Sequence, residues 1–546
     1  MFLMSDGKCD ILIVGGGTGG FAAALMACDL GHSVILTEET DWLGGQLTTQ
    51  IVPPDEHPWI EEFGCTRRYR EYRDRVRQWY RDAKILTPEA ASDPHINPGG
   101  GWVSKLCHEP VYGGDAFGEM LFEHIRSGTL QLHFFRKPHS VEVVDDRIRS
   151  VRFYNFKTKR FDIFTGTVVL DATELGDLLA LSGTEYVVGA ESKDETGEPN
   201  AIDGPAEWDN VQGLTWCFAL GSDATKERRI EKPDQYEKWK NWKPDFWPGP
   251  ILGFKVLHAH TGVEIDLPLY GQNPEDWYAL FPYRQIVDPE KLIEKADPVT
   301  VVNWPQNDYF EATIIDVDPL PVGDEIPEGF GVPGAMGPIS AARLNDAKQL
   351  SLSLLYWLQN DAPRHDGRPG AYPHLYIDKR VTATPDGFAK YPYIRESRRI
   401  KALYTVREQE VAAYTNEGLD RAPSFRDSVG IGAYRIDLHP STSGRNMIDT
   451  STIPFEIPLG ALIPIRMKNL IPACKNIGTT HITNGCYRLH PLEWNIGEAA
   501  AAIASLALKH GVSVQDIPPR YEELATVLVQ QGVELHWPAD AELRAL

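Results

Sequence analysis

The sequence predicts an α/β chain in which a Rossmann-like nucleotide-binding domain of three-layer β/β/α type is interrupted by an inserted α+β domain. Three observations predict it. The apolar, β-branched run Ile11-Leu12-Ile13-Val14 passes directly into Gly15-Gly16-Gly17-Thr18-Gly19-Gly20, so a buried strand opens on a G-x-G-x-x-G loop. The Ala-rich stretch from Phe21 to Leu30 reads as the helix that follows, and Ser33 to Thr37 as a second strand, which completes β-α-β. Far along the chain, a strand end at Thr167 to Thr173 and an Ala-rich helix near residue 500 supply further pieces of the same kind of domain.

The glycines have separate reasons to be there. Gly15 permits the tight turn, Gly17 lets a pyrophosphate approach the backbone, and Gly20 lets helix and strand pack closely. The helix N-terminus, with Thr18 and Gly19 in its first turn, turns free N–H groups and a positive dipole end toward the phosphates. Glu38, at the end of the second strand, stands where an acid accepts the adenosine ribose hydroxyls, which disfavours a 2′-phosphate and hence NADP. A second G-x-G-x-x-G match, Gly329 to Gly334, follows Pro327 and Glu328 rather than a strand and contains Pro333, so it is read as a surface turn.

Composition narrows the partners. The 546 residues carry 54 basic and 77 acidic side chains, a net charge of −23, without a Lys/Arg block, which argues against a nucleic-acid groove or an anionic-membrane surface. A small-molecule or peptide partner is expected, with a homo-oligomer left open. Seven widely spaced cysteines without C-x-x-C suggest neither a disulfide framework nor a Cys-type metal site, and they fit a reducing cytoplasm. Neither a signal-peptide pattern nor an apolar run of about 18 residues occurs, so no membrane span is expected. Motifs for zinc hydrolysis, serine nucleophiles, P-loops and EF-hands are absent, and no metal is assigned.

After Glu38 the chain continues Glu39-Thr40-Asp41-Trp42-Leu43-Gly44-Gly45-Gln46. This segment resembles the FAD-dependent oxidoreductases of the glutathione-reductase and fumarate-reductase superfamily, in which an acid followed by L-G-G carries the chain along the cofactor toward its ring. The resemblance places Glu39 on the adenosine side and Gly44, Gly45 and Gln46 near the pyrophosphate, ribityl chain or flavin. Asp171-Ala172-Thr173 looks like the flavoprotein "ATG" strand end with Glu174 in place of the usual glycine, implying contacts from Ala172 and Thr173, with Pro138 of the preceding strand region among them. Asn495-Ile496-Gly497, ahead of the Ala-rich helix, would by the same resemblance lie at the pyrimidine end of the isoalloxazine, where a helix dipole stabilises the reduced ring. Further matches in the same order, at Gly100 to Pro110, Arg395 to Arg399, Tyr434 to His439 and Asn469 to Gly497, make the chain similar to the FAD-dependent oxidoreductase family of that superfamily from about residue 10 to 510. FAD is the implied cofactor.

Between Trp208 and Pro440 no second dinucleotide loop follows the first, and the aromatics Trp239, Trp242, Phe246, Trp247, Trp277, Tyr278, Phe281, Tyr283, Trp304 and Tyr309 crowd together. They read as core packing, or as platforms for a sugar or planar ring. Ile339 to Gln359 has helical spacing, with Leu350, Leu354, Leu355 and Leu358 on one side and Asn360 to Pro363 ending it. Arg395-Glu396-Ser397-Arg398-Arg399 is expected to open a helix running toward Glu410, with Arg395 and Arg398 on one face; the family match makes Arg395 a catalytic candidate and Arg398 a cofactor contact. Tyr434 to His439 alternates as a strand, placing Arg435, Asp437 and His439 on one side, where Asp437 can orient the imidazole. His439 is therefore the first choice of base, followed by His481 and His490, which flank the flavin-proximal C-terminal segment. Cys474 reads as a small buried residue or a redox thiol.

The expected domains are residues 1–207, the first part of the FAD domain; 208–440, an inserted substrate domain; 441–510, the second part of the FAD domain; and 511–546, a helical tail. The expected activity is hydride transfer from a polar small molecule, a carbohydrate or cyclic alcohol, to flavin N5, with a histidine taking the O–H or N–H proton. The alternatives are a flavin monooxygenase reduced by NAD(P)H and a non-catalytic flavin-binding redox module.

Overall fold

The computed structural model describes residues 6–258, 261–271, 279–445 and 447–546; Trp277 and Tyr278 lie outside the described residues. The chain begins with β1 (Asp6–Val14), α1 (Thr18–Asp29) and β2 (Val34–Glu38), then, after a helical excursion, β3 (Leu130–Phe134), β4 (Arg136–Val144), β5 (Arg147–Asn155) and β6 (Arg160–Asp171). The strands β3, β2, β1 and β6 lie side by side and parallel, and the late strand Leu470–Pro472 adds a fifth beside the end of β6.

Twelve-residue β6 serves two structures. Phe161 to Phe164 pair antiparallel with β5, and β5 with β4, while Val169 to Asp171 pair in parallel with Leu470 to Pro472. Period-two alternation along β1 separates the faces. Ile11 and Ile13 point to α1 and to the helix His490–His510, whereas Leu12 and Val14 point to Ile148, Val151 and Phe153 of the β4-β5 meander. The result is a meander, a parallel sheet and a helical layer, in that order. Full burial of each such aliphatic side chain contributes about 1.5–3 kcal/mol.

The helix α1 is buried from Thr18 through Cys28, which explains its small residues: there is no solvent face for a long polar side chain to reach. Its tightest contact is with the His490–His510 helix, where a Cβ at Gly497 would lie 2.0 Å from the Gly19 carbonyl oxygen. Only glycine lets two backbones meet at that distance.

A second core gathers residues from about 211 to 394. Its antiparallel sheet runs Gln285–Val287, Val299–Val302, Phe218–Ser222, Leu375–Ile377, and the helix Pro338–Asn360 covers it with Leu344, Leu350, Leu354, Leu355 and Leu358. Trp239, Trp247, Phe281, Trp304 and Tyr309 belong to this core, so these rings pack among themselves rather than standing free as stacking platforms. Val406, Val411, Val429, Ile436 and Leu438 pack in the first core. The segment after residue 511 is also tied down: the helix Tyr521–Gln530 inserts Leu524 and Leu528 into the first core.

One expected element is corrected. Arg395 to Arg399 form no helix; the chain there is extended, Arg399–Ile400 pair with Tyr186–Val187, and helical structure in this stretch is the single turn Glu408–Val411. Arg395, Glu396, Arg398 and Arg399 are all buried; the three guanidiniums donate to carbonyls of distant segments, Glu396 accepts from the Gln212 N–H and from Arg399, and these tertiary bonds override the local helical pattern.

Candidate active site

A cleft opens at the C-terminal ends of the parallel strands. Its wall is built from Gly15 and Gly17, from Glu38 and Glu39, from Gly45, from Pro138, and from Ala172, Thr173 and Glu174. Gly15 has φ +99°, and a Cβ there would stand 2.3 Å from the Ala172 carbonyl oxygen; at Gly20 it would stand 2.0 Å from the Gly15 oxygen. Thr18 Oγ1 donates to the Gly44 carbonyl (2.9 Å), so the glycine loop and the L-G-G segment form one cradle. Glu38 holds that cradle from the side: its carboxylate accepts from the N–H groups of Gly16 (2.9 Å) and Thr40 (2.8 Å), and burial pushes its pKa up to about 7. Glu39 accepts from Lys137 Nζ at 2.9 Å.

A polar chain leads from this cavity into the interior. Gln46, next to Gly45, donates to the Arg488 carbonyl (2.8 Å) and to the Glu493 carboxylate, and it accepts from the Tyr393 hydroxyl (3.3 Å). Arg488 donates through Nη1 to Tyr393 (3.0 Å) and through Nη2 to the Asp437 carbonyl (3.0 Å) and carboxylate (3.3 Å). Asp437 Oδ2 is 3.7 Å from His439 Nε2, and Asp308 Oδ2 is 2.5 Å from His439 Nδ1. Arg395 closes the chain, its Nη2 3.0 Å from Asp308 Oδ1. Burial alone would raise both aspartates; Arg395 and His439 outweigh it at Asp308, and His439 and Arg488 at Asp437, so both carboxyls sit below their ordinary range. The His439 ring thus stands between two carboxylates, each turned to one of its nitrogens.

The cradle of missing Cβ atoms, with an acid at the end of β2, fits a dinucleotide with a diphosphate and an adenosine ribose. The family model of the FAD dependent oxidoreductases matches residues 10–528. The chain belongs to that family. It is thus an oxidoreductase with FAD as its cofactor.

The oxidoreductase is similar to a bilirubin reductase from Mediterraneibacter gnavus, 46% identical over 50 residues, which is 9% of this chain and 8% of that protein. Among solved structures it is similar to an L-proline dehydrogenase from P. horikoshii (14% identity, 36% of this chain and 26% of that one, TM-score 0.18). It is likewise similar to a 3-ketosteroid-delta4-(5alpha)-dehydrogenase from Rhodococcus jostii RHA1 (14% identity, 33% and 50%, TM-score 0.19). The match thus spans well under two thirds of each of these proteins.

The remaining candidates fall in different places. Arg398 donates to the Leu175 carbonyl (2.8 Å) and pairs with Asp316 (2.8 Å) and Asp177 (3.4 Å), so it lies near the cavity wall while Arg395 lies near His439; the two do not share a face. His481 is bound to Glu396 at 3.0 Å, deep beside Arg399, in a closed ion-pair group. His490 Nδ1 accepts from the Asp55 N–H (2.9 Å), and burial drives its pKa down to about 3, so the ring is neutral, with its Nε2 buried and without a partner. The C-terminal helix begins at His490, with Pro491 in its first turn, rather than near Asn495. Asn495 donates to the Val429 carbonyl (3.0 Å), Ile496 is core, and Gly497 meets Gly19; it is the first turn, at Glu493, that reaches the cavity through Gln46. Cys474 is buried, its thiol raised well above its ordinary pKa by burial, with Sγ directed at the Thr173 carbonyl (3.4 Å) and Asn476 (3.1 Å).

Sequence reading missed Asp308, Arg488, Arg284, Asp55 and Lys475. Lys475 answers the departure at Glu174, with which it pairs beside Glu493. Arg488 carried a weak signal, standing two residues before His490 in a polar stretch; Asp308 carried none.

Proposed function

We propose that this oxidoreductase oxidises a C–OH or C–NH group of a polar small molecule, with carbohydrates and cyclic alcohols the first class to test, and that His439 is the base. The observation that carries this reading is the position of His439 between Asp308 and Asp437, joined through Arg488 and Tyr393 to Gln46 at the cofactor cavity. Gly15, Gly17 and the first turn of α1 would hold the diphosphate, Glu38 the adenosine ribose, and Gly45 and Gln46 the flavin side. Bound FAD supplies the acceptor for the hydride that leaves the substrate carbon. The O–H or N–H proton passes to His439 Nε2, and the substrate C–O or C–N bond becomes a double bond, which balances the two electrons and two hydrogens lost. Asp308 holds the ring through Nδ1, and Arg395 holds Asp308. The second core, between residues 211 and 394, delivers Arg284, Asp308 and Tyr393 to the site and would serve as the substrate domain.

The test is anaerobic mixing of the FAD-loaded chain with sugars, cyclitols, amines and thiols, following the visible flavin absorbance. Bleaching by an alcohol or amine supports the reading. Bleaching by NADPH or by thiols alone would replace it with a monooxygenase or a thiol oxidoreductase.

A further inference from the structure

Buried polar atoms in folded proteins almost always have hydrogen-bond partners, so a local concentration of unpartnered ones calls for a specific reason. Such a concentration lies beside His439. The Arg284 side chain is 12% exposed, and its Nε and Nη1 are buried without a partner. The Arg488 side chain is 2% exposed; both its Nη atoms donate, but its Nε has no partner. Asp55 Oδ1 is the matching orphan acceptor, 3.5 Å from Arg284 Nη1 in an ion pair that makes no hydrogen bond. Asp55 feels the charges of both arginines, and the neutral phenols of Tyr283, Tyr393 and Tyr434 are neighbours of Arg284, so these groups surround one spot.

The unmet N–H donors here are Arg284 Nε and Nη1, Arg488 Nε and the Nε2 of the neutral His490 ring, with Arg395 Nε unpartnered beside Asp308, and the unmet acceptor is the Asp55 carboxylate. Leaving a guanidinium donor buried and unpaired is costly, and the group that answers it best is a carboxylate, through charge-assisted bonds. The lone acceptor on Asp55 asks in turn for an O–H or N–H. Charge decides between anions: Arg284, Arg395 and Arg488 each face one aspartate, Asp55, Asp308 and Asp437, so the cluster is close to balanced. Of the anions, a monoanion adds the least uncompensated charge to such a cluster, whereas a phosphate dianion would set a second negative charge against Asp55 and Asp437. We infer that the site takes a carboxylate-bearing molecule, its carboxylate held by Arg284 and Arg488 and a neighbouring O–H or N–H donating to Asp55. That this molecule is the substrate rests on the oxidation proposed above; that it binds does not.

Binding is read without turnover. The FAD-loaded chain is titrated anaerobically with glycolate, glycolamide and inorganic phosphate, following the perturbation of the visible flavin spectrum. Glycolate is expected to bind at least tenfold more tightly than glycolamide. Arg284→Gln should abolish that preference, and Arg284→Lys, which keeps the charge, should retain part of it; melting temperature and FAD content show that both variants are folded. Equal binding of glycolamide, tighter binding of phosphate, a preference that survives Arg284→Gln, or no perturbation by any probe up to about 0.1 M, a hundredfold above a millimolar Kd, each overturns the inference. Carboxylate preference with no bleaching by any hydroxy acid, alcohol or amine would sink the oxidation and leave the binding inference standing. Bleaching by neutral alcohols without carboxylate preference would do the reverse.

Discussion

Asp308 and His439, 131 residues apart in sequence, place Oδ2 and Nδ1 2.5 Å from each other, with the Asp308 carboxylate completely buried. A carboxylate in that position fixes the orientation of the ring and leaves Nε2 as the nitrogen turned away from it. His439→Gln is expected to slow substrate-driven flavin bleaching by about 10²–10⁴-fold at unchanged FAD content. Asp308→Asn should slow it as well, and should also destabilise the fold by about 3 kcal/mol, because Arg395 loses its buried counter-charge. Stopped-flow bleaching and urea unfolding of the two variants separate the two effects. Equal rates for wild type and His439→Gln would remove His439 as the base.

Two glycines separate cradle from scaffold. Gly15→Ala forces a side chain into a backbone with φ +99° and against the Ala172 carbonyl, at the cavity wall, and is expected to yield protein with little bound FAD. Gly497→Ala strikes the Gly19 backbone within the helical layer, and overpacking of this kind costs about 1–3 kcal/mol, so it should lower the melting temperature of the cofactor-free chain. Absorbance ratio and thermal melting, measured on both, distinguish them.

The Glu38 carboxyl is raised by burial from its ordinary 4.5 to about 7. Between those values the folded chain keeps a proton that the unfolded chain has released. The contribution of this group is therefore fully present below about pH 4.5 and is lost as the pH rises through about 7. Comparing Glu38→Gln with wild type over that window, without FAD, should show a shallower fall in unfolding free energy, by up to about 3 kcal/mol. Parallel curves would contradict the raised value.

All seven cysteines are free and buried. A thiol reagent such as DTNB is expected to label the native protein slowly and the urea-unfolded protein at seven sites. Cys474→Ala should leave substrate-driven bleaching within about twofold, because the pKa of this thiol is raised well above its ordinary value and a protonated thiol is a poor nucleophile. A fast native equivalent that disappears in Cys474→Ala would restore the redox-thiol reading.

What was legible in the sequence is what short-range pattern controls. The glycine loop, Glu38, the strand ending at Ala172 and the helix around Leu350 each announce themselves within about twenty residues, since period and turn chemistry are local. The His439 site is not local. Asp437 was readable from its two-residue offset, but Asp308 and Arg395 come from other segments, and Arg284 meets Asp55 only because the second core folds back on the first. Buried charge also misleads: Arg395 to Arg399 read as the start of a helix with Arg395 and Arg398 on one face, and are instead a non-helical interior segment whose guanidiniums are spent on distant carbonyls. The start of the C-terminal helix was misplaced by about five residues although Pro491, a first-turn residue by its missing N–H, marked it.

The double duty of β6 sets an order of assembly. Val169 to Asp171 find their outer neighbour in Leu470 to Pro472, roughly 300 residues later, and Gly19 finds its cover in Gly497, roughly 480 residues later, about 15–60 s and 25–95 s of synthesis at ordinary elongation rates. Through that interval a nascent chain carries an open sheet edge and an uncovered helix, the features that invite mispairing with another chain. The first core is therefore closed only once residues 470–497 have been made, and neither its sheet nor its helical layer is whole before then.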